Sequence, residues 1–354
     1  MQIFLLLFSL IFILGCNSGV TPAPITTTTT TTSTSTSTSS TSLTSTSLGT
    51  STSTTSSSTS TTTTTTSTTT TTIGCYIGAY VNGLSNTNSF EALIDKNLAI
   101  NMWYIDWNTN FPTANCNLVK SYGNAPMIVW EPFINTTNTL EAIDNGNYDV
   151  YIAQFAQDAK TWGDLVYLRF GHEMNGNWYP WDGANNGGAL GPAKYILAWK
   201  HIHDIFTANN ATNVKWVWSV NQASWPNEAW NTFDAYYPGT NYVDYIGIDG
   251  YNWAQGSWQT FDEIFSTAYN SLNSYNKPLM IAEFSSATDE TYSKADWITN
   301  AFSEIKSNYP LVKAVIWFNE KKERDWRIQS SANTTTAFKN AVSDSYFSGD
   351  KPLN

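Results

Sequence analysis

Val166-Tyr167-Leu168-Arg169-Phe170-Gly171-His172-Glu173-Met174-Asn175 is the stretch that decides the fold. An apolar, β-branched and aromatic run that breaks into Gly and polar residues reads as a buried strand ending at a loop. Seven further runs of this kind share the chain: Ile77–Val81, Ile100–Asp106 and Met127–Pro132 before it, and Lys215–Asn221, Tyr245–Tyr251, Leu279–Phe284 and Ala314–Phe318 after it. Counting Val166–His172, eight strands alternate with stretches of helical spacing. This predicts an α/β fold, a (β/α)8 TIM barrel, as a single domain over residues 73–354. An open doubly wound sheet would call for a Gly-rich phosphate turn, which the sequence lacks.

Barrels of this type build their sites from the C-terminal ends of the strands. Here those ends are polar and aromatic: Trp130-Glu131-Pro132, His172-Glu173-Met174-Asn175, Asp249-Gly250-Tyr251-Asn252-Trp253, Glu283, and Trp317-Phe318-Asn319-Glu320. Glu173 closes the fourth run and Glu283 the seventh, positions that face each other across a barrel mouth. A pair of carboxyls, one protonated and one ionised, is what cleavage of a glycosidic bond with retention requires. Burial against aromatic walls would raise the pKa of one, and hydrogen bonding would keep the other charged. A lone strand-end Glu is more commonly a salt-bridge partner or helix cap; the pairing of two alters that balance. Glu131 reads as structural, and Asp249 as supporting the carboxyl pair.

The chain carries 16 Trp, and the apolar faces of sugar rings pack on such surfaces. Trp178, Trp181, Trp253 and Trp317, at strand ends or loops, are the candidates for sugar contact. Trp103, Trp107, Trp199 and Trp297 read as packing. His172, adjacent to the proposed acid, belongs with the site. His201 and His203 share a helix without the spacing of a metal face and read as structural. No metal and no organic cofactor is expected.

The segment Leu168–Trp181 resembles the signature of glycoside hydrolase family 26, and the likeness continues through Trp216–Asn221, Gly247–Trp253 and Lys277–Phe284. The resemblance implies a retaining endo-glycanase with Glu173 as acid/base and Glu283 as nucleophile. It implies that His172 contacts the sugar at the point of cleavage and that Tyr251 holds the nucleophile. Trp317 would floor that subsite, and Trp178 would wall the leaving-group side. The family's majority activity makes β-1,4-mannan the first expected substrate, with mixed-linkage β-1,3-1,4-glucan or β-1,3-xylan as alternatives. Mannan-cleaving members bring a second His from an earlier strand, whereas this chain has no His before position 172. An answer of another class is a non-catalytic glycan-binding protein, against which the intact Glu173 and Glu283 argue.

Met1–Gly15 is an apolar run of signal-peptide length, so a secreted protein is expected. Ile13-Leu14-Gly15-Cys16 resembles a lipobox, which would add a lipid anchor at Cys16 on the cell surface. Residues 16–72 read as a Ser/Thr-rich disordered linker that cannot bury a core. The net charge of −11 lies wholly within residues 73–354; it disfavours nucleic acid and anionic membrane and fits a neutral β-linked polysaccharide as partner of a monomer. In an exported chain, Cys75 and Cys116 invite a disulfide.

Overall fold

The computed structural model describes residues 74–134, 139–254 and 256–352. The expected export signal 1–15, the Cys16 anchor and the 16–72 linker lie outside these residues. Eight parallel strands, β1 (Cys75–Val81), β2 (Ile100–Asp106), β3 (Ala125–Glu131), β4 (Val166–Phe170), β5 (Val214–Asn221), β6 (Tyr245–Asn252), β7 (Leu279–Ser286) and β8 (Val312–Asn319), pair in chain order, and β8 closes on β1. A two-residue strand β9 (Phe347–Ser348) adds to the start of β1. The expected (β/α)8 barrel is the fold.

Helices α1 (Thr87–Ile94), α2 (Thr113–Ser121), α3 (Thr139–Asp144), α4 (Asp149–Trp162), α5 (Gly191–Ala208), α6 (Phe261–Leu272), α7 (Lys294–Asn308) and α8 (Ala332–Val342) cover the barrel. Their distribution departs from the expected alternation. Two helices, α3 and α4, join β3 to β4, whereas β5 reaches β6 through only 3₁₀ turns at Phe233–Tyr236 and Thr240–Tyr242. Pro226 and Pro238 lack the N–H that a helix interior needs, and Gly239 (φ +106°) leaves the helical region.

Strand residues alternate between two cores, because side chains on a pleated strand point to opposite faces. Met102, Met127, Val129, Leu165, Tyr167, Val217, Met280, Ala282, Ala314 and Ile316 fill the barrel interior. Their neighbours Trp103, Ile128, Leu168, Trp216, Ile281, Val315 and Trp317 pack outward against the helices. Continued one step up each strand, the inward row becomes Tyr104, Glu131, Arg169, Ser219, Asp249 and Phe318. The mouth of the barrel is therefore polar for the same geometric reason that its interior is apolar.

Glu283 breaks this parity. Counting by twos from Ile281 would turn it outward to the helices, yet the ladder between β6 and β7 slips between the pairs Ile248–Ile281 and Asp249–Glu283. One extra residue on β7, Ala282, restores Glu283 to the inward row. A bulge of this kind re-aims a side chain by shifting register locally. Phe284 then faces out, in contact with Trp297, Phe302 and Trp317.

The expected disulfide is absent: Cys75 and Cys116 are both buried free thiols. Cys75 Sγ lies against the carbonyl of its neighbour Tyr76 at 3.7 Å, while Cys116 is buried on the inner face of α2. Burial pushes the Cys116 thiol up to about 12, so it is held in its unreactive form.

Candidate active site

β4 ends at Phe170, two residues earlier than expected, and the chain turns sharply through Gly171 (φ +48°) and Glu173 (φ +54°). The turn is anchored on both sides. Gly171 N–H donates to Trp130 O at 3.1 Å and Glu173 N–H to Ser219 O at 2.9 Å, tying the loop to β3 and β5. Asp182 accepts the amides of Trp178 and Tyr179 at 2.7 and 2.8 Å, fixing the rest of the segment.

Within this frame the Glu173 carboxylate accepts from two neutral donors, Asn221 Nδ2 at 2.9 Å and Trp178 Nε1 at 3.0 Å. Burial raises its pKa, the Glu283 charge adds to the rise, and the two donors only partly offset it. The carboxyl sits at about 7. Near neutral pH Glu173 can hold a proton and release it.

Glu283 meets the opposite surroundings. Its Oε1 accepts from Tyr104 OH at 2.6 Å and from Arg169 Nη1 at 2.5 Å, and its Oε2 from Tyr251 OH at 2.5 Å. Burial alone would push this carboxyl up, but the Arg169 guanidinium and the hydrogen bonds outweigh it. Glu283 is held well below the usual carboxylate range. Arg169, wholly buried, also pairs with Asp249, which Ser219 Oγ contacts at 3.1 Å. Arg169 thus spans two carboxyls, Glu283 and Asp249; burial pushes the Asp249 carboxyl well up despite the Arg169 charge. Glu173 and Glu283 are 8% and 5% exposed, enough for both to be reached from the mouth.

His172 packs among Tyr104, Tyr179 and Trp181 and shares a 3.2 Å contact between Nε2 and Tyr179 OH. Burial and the nearby Arg169 charge press its pKa well below the ordinary value, so the ring is neutral. Glu131, expected to be structural, stands half-buried in the inward row. Burial and the Glu283 charge push it up to about 8, and it joins Glu173, Glu283 and Asp249 as a fourth carboxyl of the same mouth. His201 pairs with Asp149 at 2.6 Å, and His203 lies against Trp216 and Tyr242, as structural residues do.

The four candidate tryptophans divide. Trp178 is half-buried beside Glu173, and Trp253 is 40% exposed at the rim next to Tyr251. Trp181 is fully buried; its indole donates to His172 O at 2.7 Å and stacks on Tyr179, so it braces the loop instead of meeting a ligand. Trp317 is also fully buried, and strand parity turns it outward against Phe284, Trp297 and Phe338. It cannot floor the mouth. Trp326, also buried, backs the mouth from behind: its ring lies 5.0 Å from those of Tyr251 and Trp253. The backbone around it is fastened by Lys294, which donates to Asp325 O and Arg327 O at 2.9 Å, and by Ser285 Oγ, which donates to Trp326 O at 2.7 Å.

Sequence reasoning passed over Tyr104, Arg169, Asn221 and Trp326. Arg169 carried a signal: a single cation inside an otherwise apolar strand must find a buried anion. An arrangement with one carboxyl protonated, one ionised and aromatic rings around them can donate a proton to a leaving oxygen and attack the carbon it leaves.

The model of the glycosyl hydrolase family 26 matches residues 20–347. Endoglucanase H of Acetivibrio thermocellus is 43% identical over 279 residues, covering 76% of this chain and 30% of that protein. Mannan endo-1,4-beta-mannosidase A and B of Caldalkalibacillus mannanilyticus is 30% identical over 162 residues, covering 45% and 29%. The matched part therefore spans less than a third of the length of either relative. The structure of a Bacillus subtilis mannanase superposes with a TM-score of 0.59 at 19% identity, over 78% of this chain and 87% of the other, a likeness that speaks to the fold.

Proposed function

The chain belongs to glycosyl hydrolase family 26, and from that premise we propose that it is a retaining endo-β-glycanase with Glu173 as acid/base and Glu283 as nucleophile. The observation that carries this reading is the contrast between two carboxyls over one mouth, Glu173 held by an amide and an indole, Glu283 by a guanidinium and two phenols. Glu173 protonates the glycosidic oxygen as Glu283 attacks the anomeric carbon, giving a glycosyl-enzyme. Water, deprotonated by Glu173, then releases the sugar and regenerates both groups. Tyr104, Tyr251 and Arg169 keep the nucleophile ionised and aimed. Neutral His172 offers a hydrogen bond to a sugar hydroxyl, Trp178 lines the leaving-group side, and Trp253, backed by the buried Trp326, supports the ring on the other.

For the backbone we place β-glucan ahead of the initially expected β-1,4-mannan. The relative that is 43% identical bears the name endoglucanase, while the relative named for mannan is 30% identical over a shorter segment. The early strands support the change, since they present Tyr80, Tyr104 and Glu131 to the mouth and no second His. The same proposal has the domain exported and carried on the Ser/Thr tract.

The test is product release by the full chain from β-1,4-glucan, mixed-linkage β-glucan, β-mannan and β-1,3-xylan in parallel, with Glu283→Ala as the control. Oligosaccharides from a glucan alone are expected. Release from mannan alone would restore the mannanase reading, and binding without cleavage of any polymer would overturn the catalytic one.

A further inference from the structure

Outside the mouth, the loops after β6 and β7 form a second groove of about 380 Å³. Its aromatic part is Trp258, half-buried, and Tyr292, 53% exposed, whose rings lie parallel with centroids 5.1 Å apart. Its polar part is Asp296, Asn300 and Glu304 on α7. These residues are spaced four apart, so they form a row with about 6 Å of rise between neighbours along one face of the helix. The base is rigid: Trp297 Nε1 donates to Gln259 O at 2.8 Å, and Ser293 caps α7 by accepting from Asp296 N–H at 3.1 Å.

An exposed Tyr292 ring, stacked on Trp258 behind it and set beside a row of hydrogen-bonding side chains, fits a neutral sugar chain. Rings stack on the apolar faces of pyranoses, and carboxylate and amide groups take up their hydroxyls. One wall of the groove is packed against the residues that back the mouth. Trp258 packs on the cluster of Ala254, Ala287 and Trp326, whose last member flanks Tyr251 and Trp253.

We propose that the Trp258–Tyr292 groove is an auxiliary binding site for a stretch of the β-glucan backbone beyond the residues held at the point of cleavage. The site holds the polymer without touching the scissile bond. Its contribution therefore grows with chain length: it lowers KM on long substrates and leaves short ones unaffected. The inference rests on the functional reading above.

The experiment compares wild type, Tyr292→Ala and Trp258→Ala, each as the full chain, on soluble mixed-linkage β-glucan and on a short aryl β-glucoside oligosaccharide. Retardation in native gels cast with the polymer is measured alongside. For Tyr292→Ala we expect KM on the polymer to rise about tenfold, equivalent to about 1.4 kcal/mol, with weaker retardation, unchanged kcat and unchanged kinetics on the short substrate. Trp258→Ala should show the same pattern, and unaltered circular dichroism guards against misfolding. Wild-type retardation and KM preserved in Tyr292→Ala would overturn the groove while leaving the glycanase standing. Equal losses on polymer and short substrate would also overturn it, since the effect would then arise at the mouth. Failure of wild type to cleave or bind any glucan would remove the functional reading and the groove with it.

Discussion

Glu173 and Glu283 share one barrel mouth and nearly the same burial, yet one is poised near neutrality and the other is held ionised. Their neighbours account for the difference. Glu173 leans on an amide and an indole; Glu283 leans on a guanidinium and two phenols. Desolvation acts on both alike, so the division of labour lies in the charge and number of donors each carboxylate receives.

The most severe way to break the contrast is to remove one side of it. Glu283→Ala is expected to cut turnover by about 10⁴-fold or more while leaving polysaccharide binding intact, as read by product release and gel retardation. Glu173→Ala should cost about 10²–10⁴-fold on polysaccharide and far less in the first step on an aryl glycoside, whose leaving group needs no proton. Equal losses on the two substrates would deny Glu173 the acid role.

Removing the cation attacks the difference indirectly. Arg169→Met would leave Asp249 and Glu283 facing each other without compensation, at a cost of about 3–5 kcal/mol of stability, measured by urea unfolding. In the folded fraction the acid limb of the kcat/KM profile should move to higher pH, because Glu283 would no longer be held low. Tyr251→Phe takes one donor from the nucleophile and should lower kcat/KM by about tenfold to a hundredfold, as expected for a hydrogen bond to a charged group of about 1.5–3 kcal/mol.

Asn221→Ala is the finest probe. In the wild type, activity should decline as pH rises through about 7, as Glu173 loses its proton. Asn221 favours the ionised form, so deleting it should displace this basic limb to higher pH with a modest change in the plateau. A limb that stayed in place would assign it to another group, of which Glu131 at about 8 is the nearest.

Much of this was legible in the sequence, for identifiable reasons. Eight apolar runs with polar ends read as strands because a closed parallel barrel buries both faces of every strand, and Glu173 and Glu283 stood out as acids at the ends of such runs. Tertiary facts were less visible. Strand parity, which turns Trp317 to the helices, depends on where each ladder begins, and the extra residue at Ala282 leaves no mark in composition. Trp326 escaped notice because it lies beyond the last strand in the charged stretch Glu320–Arg327, where no periodicity signals it. The missing helix between β5 and β6 was signalled by Pro226 and Pro238, which a helix interior does not tolerate.

Glu173 occupies the left-handed region at φ +54°, a conformation that costs a residue with a Cβ about 1–3 kcal/mol and that Gly or Asn adopts more readily. Heritable variation at position 173 is therefore pulled two ways. A population screened for heat resistance alone should accumulate Gly or Asn there and become thermally tougher as it falls catalytically silent, so that the acid survives only where turnover itself is selected.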